Sequence, residues 1–146
     1  MEKILFDGGM KEYQIGDGGV LRFNPSDPNV YARFVEAAGK FSQLEADLIK
    51  KAQAAQGSGE DALKILTDAD KEAKQILADV FGKHNDFDQI LGGVNLLAVA
   101  GNGERVLTNL IVALQPILQQ GAEACARQQA NAAKAQANAI RKKRKV

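Results

Sequence analysis

The chain has 146 residues, of which 45% are apolar and only 5% aromatic, with no Trp and one cysteine. This length supports one domain with its own core, built mainly from aliphatic side chains. The lone Cys125 excludes an intrachain disulfide and favours a reducing compartment. The short apolar run Ile4 to Phe6 does not fit a secretory signal, and no apolar run reaches the ~20 residues that span a bilayer. We therefore expect a soluble, intracellular protein that does not enter a membrane.

The formal charge of +1 conceals an uneven distribution of charged residues. Residues 127–146 hold seven basic and no acidic residues, which leaves 12 basic and 18 acidic residues, a charge of −6, in residues 1–126. The sequence therefore predicts a single acidic domain (1–126, the body) followed by a basic helical segment rich in Ala, Gln and Lys (127–146, the basic arm). Such asymmetry is typical of a segment that contacts a partner.

Residues 1–24 are predicted to form a small β element. Three short runs, Lys3 to Phe6, Lys11 to Ile15 and Val20 to Phe23, carry β-branched or aromatic residues and are separated by glycines. The turn Gly16-Asp17-Gly18-Gly19 predicts a hairpin between the last two runs, because glycine reaches positive φ without steric cost. No Gly-Lys-Ser/Thr follows, so we do not interpret these glycines as a phosphate-binding loop.

Two long amphipathic helices are predicted next. The first begins at Pro28, with Asp27 as its N-cap, and runs to about Gln56. The second covers about Glu60 to Phe81. The connection Gly57-Ser58-Gly59 is so short that the two helices should form an antiparallel hairpin.

Two details of this helical hairpin carry separate expectations. Gly39 interrupts the first helix and predicts either a closely packed neighbour or a bend. The charged residues opposite the apolar stripes are interpreted as solvated faces with some helical ion pairs. These residues are Lys50, Lys51, Asp68, Asp70, Lys71, Glu72 and Lys74.

The remaining elements are also predicted to be helical. Asp86 to Leu91 fits one short helical turn, and Asn95 to Val99 fits another. A last long helix begins near Glu104, and Pro116 should kink or split it. Beyond Gly121 the apolar stripe fades to alanine, which predicts a helix that is exposed and frays toward its end. The predicted fold is mainly α: a long antiparallel helical hairpin and a kinked C-terminal helix, with a small N-terminal β-hairpin.

The residues typical of catalysis are few. His84 is the only histidine, so no histidine cluster can hold a metal, and we interpret it as an exposed loop residue. Cys125 has no neighbour that would activate a thiol and is interpreted as a small apolar residue. The candidate calcium ligands Asp7, Asp17, Asp86 and Asp88 lack the ligand spacing of a calcium loop. We expect no catalytic residue, no metal and no cofactor, and we predict that the protein is not an enzyme.

The basic end of the chain admits three interpretations. It contains Arg141, Lys142, Lys143, Arg144 and Lys145. It can be a solvated tail, a contact for an acidic partner, or a nuclear-import-like or nucleic-acid-binding segment. No aromatic residue stands between these charges to stack on bases, and the body is acidic, which argues against a dedicated nucleic-acid binder.

The order of the elements resembles that of a known family. The chain has a glycine-broken strand region, the stretch from Phe23 to Phe34 (FNPSDPNVYARF), and then a long helical hairpin. Asp79-Val80-Phe81-Gly82 and Asp88-Gln89-Ile90-Leu91-Gly92-Gly93 follow, and an apolar helix around Leu114-Gln115-Pro116-Ile117 leads into the basic arm. This pattern is similar to that of the tail assembly chaperones of tailed phages and prophages with long non-contractile tails. These motifs mark caps, turns and kinks, and no catalytic group carries over.

The resemblance implies a non-catalytic assembly factor of the bacterial host cytoplasm. Such proteins coat the helical tape measure protein, keep it soluble and help to recruit the tail-tube protein. Candidate client contacts are the apolar residues Phe34, Phe41, Leu44 and Leu48, for which ordinary core is the competing interpretation. Two other functions remain open: a structural tail or connector subunit of the virion, and a small nucleic-acid-binding regulator that uses the basic arm. Self-association into a homo-oligomer is also compatible with stripes on helices of this length.

Overall fold

A computed structural model describes residues 1–55 and 59–144, with side chains up to Lys143. Its elements confirm the predicted mainly helical fold with an N-terminal β-hairpin. In chain order they are β1 (Lys11–Gln14), β2 (Val20–Phe23), α1 (Pro28–Ala55), α2 (Gly59–Phe81), α3 (Phe87–Ile90) and α4 (Val106–Arg144). None of the helices within the described ranges has the length and apolar content needed to cross a membrane.

The β element is a two-stranded antiparallel sheet. β1 pairs with β2 in a register that sets Tyr13 opposite Leu21, and the predicted glycine turn closes the hairpin through an Ile15 N–H to Gly19 C=O bond of 3.0 Å. The prediction of a further strand over Lys3 to Phe6 is wrong, because these residues are exposed and form no regular structure. β-propensity alone does not form a strand without a partner for its backbone.

A side chain from the α2–α3 connection occupies the free edge of β2. The buried Asn85 accepts a hydrogen bond from the Arg22 N–H and donates one to the Arg22 C=O, both at 2.9 Å. Its amide also donates to the Phe81 C=O at 3.0 Å. The amide thus replaces a third strand at this position, so the hairpin is joined to the end of α2.

Helices α1 and α2 form the predicted antiparallel hairpin, because the start of α1 contacts the end of α2 and the end of α1 contacts the start of α2. The predicted helix end at Gln56 and the Gly57-Ser58 part of the connection lie outside the described residues. Asp27 caps α1 as predicted, with its carboxylate accepting from the Asn29 N–H at 2.9 Å. Arg33 ties the helices together by donating to the Val80 C=O at 3.0 Å. A Cβ at Gly39 would have no neighbour within 4 Å, so of the two predicted alternatives the closely packed neighbour is wrong, and the bend stays a prediction.

The predicted helical turn before Gly92 is confirmed as α3. Asp86 is its N-cap and accepts from the backbone N–H groups of Asp88 and Gln89. The further helical turn expected over Asn95 to Val99 is wrong: these residues form turns, and Val99 makes an isolated antiparallel bridge with Arg105.

Arg105 fixes the segment before α4 to the helical hairpin. Its Nε and one terminal nitrogen donate to a single Glu45 oxygen at 3.2 and 3.0 Å, and its other terminal nitrogen donates to the Leu97 C=O.

α4 is one continuous helix through Pro116, so of the predicted kink or split the split is wrong, and the kink stays a prediction. Proline cannot bond to the carbonyl of Val112, but both residues are exposed, so water can satisfy that carbonyl. The helix continues to Arg144, so fraying is not observed up to that residue. Lys145 and Val146 lie outside the described residues.

The core lies between α1, α2, the hairpin and the first half of α4. Its aromatic centre joins β2, α2 and α3: the ring centroids of Phe23 and Phe81 are 4.8 Å apart, and those of Phe81 and Phe87 are 5.9 Å apart. From α4, Leu107, Leu110, Leu114 and Leu118 are buried. α4 contributes no buried residue after Gly121 in the part of the chain that is described.

Candidate partner-binding surfaces

The described part of the basic arm, residues 127–143, is a helix that buries no residue against the body. Every residue from Ala126 to Lys143 is exposed. At about 1.5 Å per residue this segment extends roughly 25 Å beyond the body. A helix that is exposed all round has no tertiary burial to support it, and its many alanines supply intrinsic helix propensity instead.

The basic residues of the arm follow a seven-residue spacing that the sequence interpretation missed. Arg127, Lys134 and Arg141 are seven residues apart, so they lie in one row that drifts by only about 20° per repeat. Residues at spacings of four and three run beside this row: Ala126, Ala130, Ala133, Ala137 and Ile140. These positions form one narrow stripe of mostly small side chains on the helix, next to the basic row. The repeat Gln-Ala-Asn-Ala at 129–132 and 136–139 was the signal for this register.

A glycine marks the place where the arm separates from the body. Gly121 is buried, and a Cβ at this position would overlap the carbonyl oxygen of Pro25. The α4 backbone therefore lies directly against the loop that precedes α1. This close approach fixes the direction of the arm relative to the body.

A second open surface is a groove of about 320 Å³ between α1 and α4. Tyr31, Phe34, Val35 and Ala38 line it from α1, and Gln115, Leu118 and Gln119 line it from α4. The Tyr31 and Val35 side chains are 38% and 55% exposed. The groove is therefore apolar on the α1 side, with a polar rim from the two glutamines.

The structure separates the predicted contact residues into different environments. Leu44 and Leu48 are core residues, each 5% exposed, and so offer no side chain to a partner in this fold. Phe34 and Phe41 are half-buried against the core, and Phe34 lines the α1/α4 groove. Of the predicted basic contacts, Arg141, Lys142 and Lys143 are exposed on the helix. The Arg144 side chain and all of Lys145 lie outside the described residues.

One predicted surface lysine is instead buried. Lys74 is 8% exposed, and its ammonium donates to Asp70 at 2.8 Å and to Asp88 at 2.6 Å. The other oxygen of Asp70 accepts from the Leu96 N–H at 2.7 Å. Burial by itself lowers the pKa of Lys74, but its bonds to the two carboxylates raise that pKa above the ordinary 10.5. A lysine held in its charged form cannot act as a base, and this network joins α2, α3 and the turn before α4.

The residues considered as catalytic or metal-binding candidates do not form a common site in the described structure. His84 is exposed, and its Nε2 lies 2.9 Å from the Arg22 C=O, a position that supports β2. Cys125 is a half-buried free thiol on α4. Among the described residues there is no group of three or more His, Cys, Asp or Glu side chains that could hold a metal.

No known protein family, curated protein or solved structure matched this chain. Its function is therefore inferred from the geometry of these surfaces and from the resemblance described above.

Proposed function

We propose that this protein is a non-catalytic assembly chaperone that binds a helical client, and that the client is the tape measure protein of a long non-contractile phage tail. In this proposal it acts in the host cytoplasm and helps to bring tail-tube protein to the growing tail. The observation that carries the proposal is the exposed helical arm, which the fold leaves without an intramolecular partner. The family and the client come from the resemblance.

The charge of the arm specifies the chemistry of the client. The basic row formed by Arg127, Lys134 and Arg141 would lie beside carboxylates on a partner helix, while the alanines allow the two helices to approach closely. Two such arms packed antiparallel would bring their basic rows together, which is unfavourable. The arm therefore favours an acidic amphipathic helix over an antiparallel copy of itself.

Co-expression with the tape measure protein of the same tail module tests this function. The wild-type chain should increase the soluble fraction of the tape measure protein and co-purify with it. Replacing Arg127, Lys134 and Arg141 by Glu should abolish both effects, because the row would then repel a carboxylate-bearing helix. A tape measure protein that is no more soluble with the wild-type chain than without it would refute the proposal.

A matched control separates the arm from total charge. Lys40, Lys50 and Lys71 are exposed lysines of α1 and α2, and replacing them by Glu changes the net charge by the same amount. This control variant should still solubilise the client. Equal loss of binding in both triple variants would mean that overall charge, and not the row on the arm, governs the interaction.

The basic row also favours one competing function, contact with a nucleic-acid backbone. In that case the arm should bind duplex DNA with an affinity that falls steeply as salt increases, and deletion of residues 127–146 should remove the binding. DNA binding without any effect on the client would replace the chaperone proposal. Retention of the protein in purified virions, read by mass spectrometry, would instead indicate a structural subunit.

A further inference from the structure

Helix α2 presents a row of carboxylates on one of its sides. Asp68, Glu72 and Asp79 (the acidic row) are four and seven residues apart, so they lie within about 40° of one another around the helix axis. All three residues are exposed. No ion pair within the described residues includes any of the three. Their carboxylates are therefore open to cations from outside this chain.

The surface around the acidic row keeps a negative charge. Asp47 of α1 lines the same groove as Asp68 and Glu72. Asp61 lies seven residues before Asp68, on the same side of α2. The exposed lysines that share grooves with members of the row are Lys51, Lys64 and Lys83. Five carboxylates thus stand against three ammonium groups, a net charge of −2, so this face attracts a basic helix.

The basic row of the arm has a spacing that fits the acidic row. Seven residues separate neighbouring members of the basic row, and seven also separate Glu72 from Asp79. At 1.5 Å per residue, each of these separations is about 10.5 Å. When two neighbouring basic residues lie level with Glu72 and Asp79, the third lies about 4.5 Å beyond Asp68. A long Lys or Arg side chain covers that offset, so each basic residue can reach a carboxylate.

The arm does not lie on the α2 of its own chain. Every residue from Ala126 to Lys143 is exposed, and α4 continues to Arg144 as one helix. The packing of Gly121 on Pro25 fixes the direction in which the arm leaves the body. Contact with its own α2 would require the helix to break in a stretch rich in alanine, the residue with the highest helix propensity. The acidic row is therefore open to the arm of another copy.

We propose that the basic arm of one copy lies along the acidic row on α2 of a second copy. The side chains of Arg127, Lys134 and Arg141 pair with the carboxylates of that row. Because the arm and the acidic row are different surfaces, every copy can both give and receive an arm. This contact depends on the charges of this chain alone. Its consequence, that a second copy and the client compete for the arm, rests on the proposed function.

Sedimentation equilibrium of the full chain, without any client, tests the contact. At low salt the weight-average mass should exceed the 15.7 kDa of one chain and rise with protein concentration. Exposed ion pairs are individually weak and are screened by salt, so the dissociation constant should increase about tenfold or more between ~0.05 and ~0.5 M salt. A chain that stays monomeric at low salt and high concentration would overturn this inference and leave the client proposal standing.

Charge reversal identifies the two surfaces. Glu72→Lys with Asp79→Lys, and separately Arg127→Glu with Lys134→Glu, should each abolish self-association while the exposed positions leave the fold intact. An equimolar mixture of the two variants should associate again, because the intact arm of the first meets the intact acidic row of the second. Self-association of either variant alone, or no association in the mixture, would contradict the contact.

A matched control separates the acidic row from total charge. Asp17→Lys with Glu104→Lys changes the net charge as much as the acidic-row variant does, at exposed positions outside α2. This control should still self-associate. Its failure to do so would show that net charge, and not the acidic row, governs association, which would overturn the proposal.

A zero-length cross-link determines whether the contact joins two copies. In an equal mixture of isotope-labelled and unlabelled chains, a carbodiimide should couple Lys134 to Asp68, Glu72 or Asp79. Mass spectrometry should find cross-linked peptides with one labelled and one unlabelled half. Cross-links of uniform label only would place the arm on its own body and refute the contact between copies.

Discussion

The two halves of α4 belong to one uninterrupted helix, yet different forces maintain them. Residues 106–121 place four leucines in the core and lie against the loop before α1, whereas every residue from 126 to 143 is exposed. The first half is helical because burial of its apolar stripe stabilises the fold. The second half is helical because alanine has the highest intrinsic propensity and the preceding turns supply the nucleus. Continuity of a helix therefore does not imply uniform stability along it.

The clearest way to test this contrast is to remove side-chain bulk from each half. Leu118→Ala should lower the free energy of unfolding by about 2–5 kcal/mol, because Leu118 is fully buried and a cavity would remain. Ile140→Ala in the arm should change it by less than ~0.5 kcal/mol, since Ile140 is 54% exposed. Urea denaturation measures both, and equal effects would show that the arm packs on the body.

The contrast between the body and the arm should also appear when a buried lysine and an exposed lysine are replaced. Lys74→Met should cost about 3 kcal/mol, because Asp70 would lose its counter-ion in a mostly buried site. Lys134→Met should leave stability unchanged. A folded-state pKa of Lys74 raised above 10.5 means that the stabilisation is fully present below that pH and is lost as pH rises through the folded pKa. The stability difference between wild type and Lys74→Met should therefore shrink in denaturation series above pH 10.5 and persist at neutral pH.

Exchange of glycine and alanine should have opposite consequences in the two halves. Gly121→Ala improves helix propensity but forces a methyl group into the Pro25 carbonyl, so a net loss of about 1–3 kcal/mol is expected. Ala133→Gly should lower the helicity of the arm, because glycine is about 1 kcal/mol less favourable than alanine in a helix. The midpoint of global unfolding should not change. Circular dichroism and thermal melting separate these outcomes. A stabilised Gly121→Ala variant would mean that the close contact at this position is absent in solution.

Deletion of residues 127–146 should have the smallest effect on the body. The free energy of unfolding should change by less than ~0.5 kcal/mol, as for other surface changes. The helical signal in circular dichroism should fall in proportion to the residues removed. A large loss of stability would show that the arm supports the body, in contrast to the exposure of residues 127–143 in the structure.

The elements that sequence analysis predicted well are those with local signals. Asp27 with Pro28, and Asp86 before α3, are caps whose function needs only neighbouring residues. Gly16 to Gly19 likewise predict a hairpin turn from local sequence, and the folded turn adds one distant contact, from the Gly19 N–H to the Ile90 C=O. The mainly helical fold class could therefore be predicted correctly from the spacing of the apolar residues and from the capping and turn residues.

The features that were missed depend on partners distant in sequence. In the sequence, Lys74 lies among charged residues spaced as on a solvated helix face. It is buried only because Asp88 and the turn at Leu96 pack against α2 in the folded chain. Lys3 to Phe6 have strand propensity but no strand beside them. For the candidate surfaces, exposure of the basic arm was predicted from its alanines. The α1/α4 groove was not, because it depends on how two helices far apart in the chain pack.

The contact between Asn85 and Arg22 also concerns the order of events during synthesis. The two residues are separated by 63 positions, so β2 leaves the ribosome well before its edge partner exists. At about 5–20 residues per second, the interval is roughly 3 to 13 s. During this interval the Arg22 N–H and C=O lack their final partners, and the nascent hairpin can pair with other strands. Arrival of Asn85 ends that exposure.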